Sequence, residues 1–196
     1  MIYIIRHGQT EGNAAKLLQG RCDKPLNETG VEQARIVAER LREAGIRFTC
    51  VYTSPLSRAM KTGAIVAEGV EQVVDERLIE MDYGPYEGMP LDDPAPEVLA
   101  FFKDFAGTPA PAGMEPLADI VARLGAFLED VRGEAAGHDI LVSTHAIAMK
   151  GALEYLTPDS HGSYWSTYIA NCAVYVCDID GDGAWTVPYE WCAPLH

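Results

Sequence analysis

The chain opens on an uninterrupted apolar, β-branched run, Ile2 to Ile5, the pattern of a strand buried on both faces. A polar, glycine-containing loop follows to about residue 28. Val31, Ala34, Val37 (or Ala38), Leu41 and Ala44 then recur at helical spacing, with Thr29 and Glu32 as a capping box at the start and Gly45 as the stop. CVYT at 50–53 predicts a second strand. Ser54 followed by Pro55 predicts an N-cap and a helix through the high 60s. QVVDE at 72–76 predicts a third strand. The stretch 82–115, rich in Pro, Gly and Asp, predicts a loop cap broken by one helix at about 96–105. Leu117, Ile120, Val121, Leu124, Phe127, Leu128 and Val131 form a helical stripe within 116–136, ILVST at 140–144 predicts a buried strand, and 146–156 a further helix. CAVYVCDI and AWTVPYEW around DGDG predict a C-terminal hairpin. Short apolar strands alternating with helices predict an α/β domain, a three-layer α/β/α sandwich around a mostly parallel sheet. Ligands of such sheets bind beyond the carboxyl ends of the strands.

Composition narrows the class. With 196 residues, 48% hydrophobic and 22% charged, the expectation is one domain over 1–196 that buries a full core. The sequence has no apolar run of about 18 residues and its N-terminus does not read as a signal peptide, which predicts a soluble, cytoplasmic protein. Five cysteines, an odd number without CxxC spacing, predict neither a disulfide framework nor a zinc site and fit a reducing compartment. The formal charge of −14 disfavours nucleic acid and anionic membrane as partners. Its distribution says more: residues 1–61 carry ten of the fifteen Lys and Arg against six Asp and Glu. Cations for an anionic ligand therefore lie near the N-terminus. A basic helical face is the expected account of Arg35, Arg40, Arg42 and Arg47; Arg6, Arg21 and Arg58 fall outside it.

The chemistry-bearing residues sit where strands end. Arg6-His7-Gly8 follows the first strand, Arg58 lies in the first helical turn after CVYT, and Thr144-His145 closes ILVST. On a parallel sheet these converge on one edge. Glu80 follows the third strand in a loop able to fold over that edge, although Asp75, Glu76, Asp82 and Glu87 lie nearby. Two imidazoles, two guanidiniums and a carboxylate suit phosphate chemistry. Guanidiniums bind a tetrahedral dianion, a neutral imidazole attacks phosphorus, and a carboxylic acid protonates the leaving oxygen.

The run Arg6-His7-Gly8-Gln9-Thr10 with Asn13 resembles the RHG signature of the histidine phosphatase superfamily, which includes phosphoglycerate mutase-like enzymes and small phosphatases. The likeness continues in order through Gln19-Gly20, Asp23 to Leu26, Ser54 to Ala59, Glu80, Tyr83-Gly84, Glu87-Gly88 and Ser143-Thr144-His145. Its size and pattern are similar to the alpha-ribazole and broad-specificity phosphatase branches. The resemblance implies that His7 is the nucleophile and that Arg6, Arg58 and His145 bind the phosphoryl group. It makes Glu80 the proton donor and Asn13 a supporting contact, with Gln19 and Gly20 on the substrate side. Arg21 stands in the presumed mouth as a further substrate contact. The implied activity is hydrolysis of a small-molecule phosphate ester, with no metal and no organic cofactor.

Two positions depart from the family pattern. Ala146 follows the second histidine where Gly is common, and residues 113–117 read GMEPL where relatives have a GGES-like stretch. Two other activities compete: a cofactor-dependent phosphoglycerate mutase and a non-catalytic phosphate-binding scaffold. A mutase needs extra cations over the site, and residues 89–115 offer only Lys103. The acids Asp178, Asp180 and Asp182 imitate part of a calcium loop, but Tyr189 stands where the final Glu belongs, so a hairpin turn explains them better. The AWTVPYEW strand is a candidate edge for a homodimer.

Overall fold

The computed structural model describes residues 1–192; the end of the expected 1–196 domain lies outside the described residues. Strands β1 (Ile2–Arg6), β2 (Cys50–Thr53), β3 (Gln72–Val74), β4 (Ile140–Thr144), β5 (Val174–Cys177) and β6 (Tyr189–Cys192) form one sheet in the order β3-β2-β4-β1-β5-β6. The pairs β3–β2, β2–β4 and β4–β1 are parallel; β1–β5 and β5–β6 are antiparallel. The register sets Arg6 beside Thr144 and Thr53 beside Ser143, so three parallel strands end level with one another.

Alternate strand residues enter opposite layers, as the strand period of two requires. Ile2, Ile4, Ile140 and Val142 pack with Ile120, Leu124, Phe127 and Leu128 of helix α5 (Leu117–Ala135) and with helix α6 (Ala146–Leu156). Tyr3, Ile5, Val51 and Leu141 pack with Ala34, Val37 and Leu41 of helix α2 (Glu28–Glu43) and Val66 of helix α3 (Ser57–Val66). These are the three expected layers. Helix α1 (Glu11–Ala14) is a single turn after β1, and helix α4 (Pro96–Lys103) lies in the 82–115 segment.

Several boundaries differ from the sequence expectation, and at the starts of α2 and α3 a residue from another segment decides them. Helix α2 is capped by Asn27, whose Oδ1 accepts from Gly30 N at 2.8 Å, and not by Thr29 with Glu32. Asn27 is itself held by Gln9, through Asn27 N to Gln9 O and Nδ2 to Gln9 Oε1, both 3.0 Å. Helix α3 begins at Ser57, three residues after Ser54. Asp23 Oδ1 takes its first N–H at 2.9 Å and the Ser57 hydroxyl at 2.7 Å. Strand β3 stops at Val74, because Asp75 turns the chain by accepting from Arg77 N at 2.9 Å. Helix α4 ends at Lys103, short of the predicted 105. The hairpin forms as β5–β6. Its acids make the turn, with Asp180 Oδ1 accepting from Asp182 N and Ala184 N at 2.9 Å each.

Candidate active site

Beyond the carboxyl ends of β1, β2 and β4 the structure brings together His7, Arg58, His145 and Glu80, all at 4% exposure or less, with Arg6 at the end of β1. Glycine makes the first approach feasible. A Cβ on Gly8 would collide with the carbonyl of Gly30, so the loop after His7 passes the start of α2 backbone against backbone.

The pattern of partners assigns the imidazole protons. His7 Nδ1 lies 2.6 Å from Gly8 O and donates to it, leaving Nε2 with a lone pair. His145 Nε2 lies 2.7 Å from Ser54 Oγ, while its Nδ1 accepts. One hydrogen joins the rings: Arg58 Nε–H donates at 3.2 Å to both His7 Nε2 and His145 Nδ1. The ring centroids are 5.1 Å apart. Burial, followed by the charges of Arg6 and Arg58, holds His7 well below the usual imidazole range. Burial and then Arg58, His7 and Arg6 do the same to His145. Both histidines are therefore neutral at neutral pH.

The two cations differ in how fully they are paired. Arg58 donates Nη2 to Gly20 O at 2.5 Å and Nη1 to Cys22 O at 2.9 Å. Arg6 donates Nη1 to Ile169 O at 2.5 Å, but its Nε is buried without a partner. Buried donors are normally paired, so an orphaned guanidinium N–H marks a place for an anion. Glu80 sits at the start of α6, where Oε1 accepts from Met81 N and Ala148 N at 2.9 Å and Oε2 from Ile147 N at 3.2 Å. It supplies the cap that His145, at the N-cap position, does not. Ala146 opens α6 in helical backbone, so its methyl needs no glycine angle.

The other predicted contacts lie around this centre. Asn13 Oδ1 accepts from Thr10 N at 3.1 Å and Asn171 Nδ2 at 3.3 Å. Gln19 Oε1 accepts from Thr10 Oγ1 at 2.7 Å, and its Nε2 is a second buried donor without a partner. Gly20 meets the site through its carbonyl. Arg21 is bonded to the cap segment instead, 3.2 Å from Asp82 and 3.5 Å from Glu115.

Three further residues bond to groups of the site although sequence patterning does not single them out for it. Ser54, expected as an N-cap, orients His145. Thr62 Oγ1 receives Gly8 N at 3.1 Å, and Asn171 donates to His7 O at 3.0 Å; neither carries a signal in the sequence. Lys150 does carry one, as a lone cation in the apolar helix AIAMKGAL. It is buried, donates to Trp165 O at 2.7 Å and lies 5.2 Å over the Phe105 ring. Burial pushes it down to about 8, with the charge of Glu80 opposing. Among the described residues no group of three or more His, Cys, Asp or Glu is placed to hold a metal ion, and no helix is long and apolar enough to cross a membrane.

Comparison with known proteins bears on the family and the fold. The sequence model of the histidine phosphatase superfamily (branch 1) matches residues 2–191. The probable phosphoglycerate mutase GpmB of Yersinia pestis (strain Pestoides F) is 36% identical over 154 residues, 76% of this chain and 70% of its own. Phosphoserine phosphatase of Entamoeba histolytica, solved with 3-phosphoglyceric acid, superposes with a TM-score of 0.82 at 23% identity, covering 100% of this chain and 96% of that one. Mycobacterial glucosyl-3-phosphoglycerate phosphatase, solved with VO3, gives 0.82 at 23% identity over 100% and 99%. At that identity the two structures speak for the fold.

Proposed function

The chain belongs to the histidine phosphatase superfamily, and from that premise we propose that it is a metal-independent phosphomonoester hydrolase acting through a phosphohistidine at His7. The observation that carries the reading is the neutral His7 whose Nε2 lone pair shares one Arg58 N–H with His145, beside the unpartnered Nε of Arg6. In the proposed reaction the phosphoryl group of a small-molecule ester lies among Arg6, Arg58 and His145. His7 Nε2 attacks phosphorus as the ester P–O bond breaks, and Glu80, entering as the acid, passes its proton to the leaving oxygen. Water then attacks the phosphohistidine, Glu80 takes a proton from it, and His7 leaves neutral with inorganic phosphate as product. Guanidinium donors suit the equatorial oxygens, whose charge they meet without a metal. Asn13, Gln19 and Gly20 border the ester side in this reading.

The name of the Yersinia relative favours a second reading, a phosphoglycerate mutase. Lys103, the only cation of 89–115, is exposed at the end of α4, which supports hydrolysis over retention of a bisphosphate. Phosphate release from p-nitrophenyl phosphate, phosphoserine, 3-phosphoglycerate and alpha-ribazole phosphate in excess EDTA tests the proposal. Turnover that survives EDTA and vanishes in His7→Ala supports it. Interconversion of 2- and 3-phosphoglycerate that requires the bisphosphate, without net release, moves the assignment to the mutase.

A further inference from the structure

Glu87 takes no part in the proposed chemistry, yet its carboxylate joins two walls of the site. Oε1 accepts from Gly20 N at 2.5 Å and Oε2 from Cys22 N at 2.6 Å. The carbonyls of the same two residues receive both Nη groups of Arg58. One carboxylate grips the N–H groups of this segment and one guanidinium grips its C=O groups. With both Nη groups committed there, the direction of Arg58 Nε–H follows the position of residues 20–22, and with it the 3.2 Å approach to both histidines. The segment has little packing of its own, since Arg21 and Cys22 are exposed. Gly20 is wedged, because a Cβ there would run into Met81 O and come within 2.7 Å of the Tyr83 ring. Hydrogen bonds to a charged acceptor are the strong ones, and here two converge on one side chain.

We propose that Glu87 is a positioning residue for phosphoryl transfer: through the backbone of residues 20–22 it aims Arg58 at the two histidines without touching substrate. Only the kinetic readout of this inference rests on the phosphohistidine reading. Misplacing a reacting group by about 1 Å costs about 10²-fold in rate. Glu87→Ala should therefore lower kcat about 10²-fold with KM little changed, and Glu87→Gln, which keeps one acceptor, should lower it less. Asp92→Asn is the control. It breaks the exposed Lys16–Asp92 pair (3.1 Å), which ties the same two stretches of chain, and should keep the wild-type kcat. Adding Glu87→Ala to Arg58→Lys should cost little beyond Arg58→Lys alone, because both act on one group. Additive losses, an equal loss in Asp92→Asn, or a wild-type kcat in Glu87→Ala would each overturn the inference.

A second readout does not need turnover. In protein labelled with 15N-arginine, the Arg58 Nε–H resonance should shift or broaden in Glu87→Gln and stay in place in Asp92→Asn. An unmoved resonance in the folded Glu87→Gln protein overturns the clamp. A moved resonance in a chain that hydrolyses none of the esters upholds the clamp and sinks the phosphatase reading instead.

Discussion

A neutral imidazole at His7 has a signature in pH. Because the native pKa of His7 and His145 lies well below the unfolded value of about 6.5, the unfolded chain binds protons first as the pH falls. The stability tied to these neutral rings is fully present above about pH 6.5 and is lost progressively below it. The melting temperature should therefore fall between about pH 7 and about pH 5, and His7→Asn should flatten that slope. An unchanged slope in the variant would mean that His7 is not the buried neutral group. For the same reason the acid limb of kcat/KM should have its midpoint below the ordinary histidine value, so a limb centred on about 6.5 would contradict the assignment. Arg58 is the residue whose role is least visible along the chain. Its place in the first helical turn after a strand suggests a fork for phosphate, whereas both Nη groups are spent on backbone carbonyls and only Nε–H faces the histidines.

Elements carry a second set of consequences, because two catalytic candidates are also parts of helix ends. Glu80 caps α6 by accepting from two of its backbone N–H groups, Ile147 and Ala148, and accepts a third from Met81. Glu80→Ala should cost about 1–2 kcal/mol of unfolding free energy in addition to activity. Glu80→Gln should keep most of the stability, since one carbonyl oxygen still accepts, while losing the acid. Equal stability of Glu80→Ala and wild type in urea titration would remove the capping role. The start of α2 gives a cleaner comparison. Asn27→Ala should destabilise by about 1 kcal/mol, whereas Thr29→Ala, at an exposed position inside the first turn, should change stability little. The helical stripe, the stop at Gly45 and the outline of α2 are all legible in the residues. The capping residue is not, because its choice depends on Gln9, 18 positions away. The start of α3 obeys the same rule: Ser54-Pro55 is a sound local signal, but Asp23 supplies the first N–H acceptor and Ser54 is taken by His145.

On the scale of the molecule, a buried cationic site opens in a chain of formal charge −14. At long range an anionic ester meets repulsion, and only within the mouth does it meet Arg6 and Arg58. Raising ionic strength from about 0.01 M to about 0.15 M should therefore increase kcat/KM for a dianionic ester; a fall would show that the local cations reach beyond the acidic rim. Arg21, an exposed cation, is paired with Asp82 and Glu115 and so adds little to that reach. The order of the strands and longer helices, the mostly parallel sheet and the meeting of His7, Arg58 and His145 are all legible in the sequence. Hydrophobic period and strand-end position are local properties, and parallel strands deliver the residues at their carboxyl ends to one edge. Tertiary structure alone decided which nitrogen of each histidine is free, what Glu80 and Glu87 grip, and which residue caps each helix. Those depend on donors and acceptors brought together from segments far apart in the chain, where burial obliges each polar group to find a partner that spacing along the sequence does not specify.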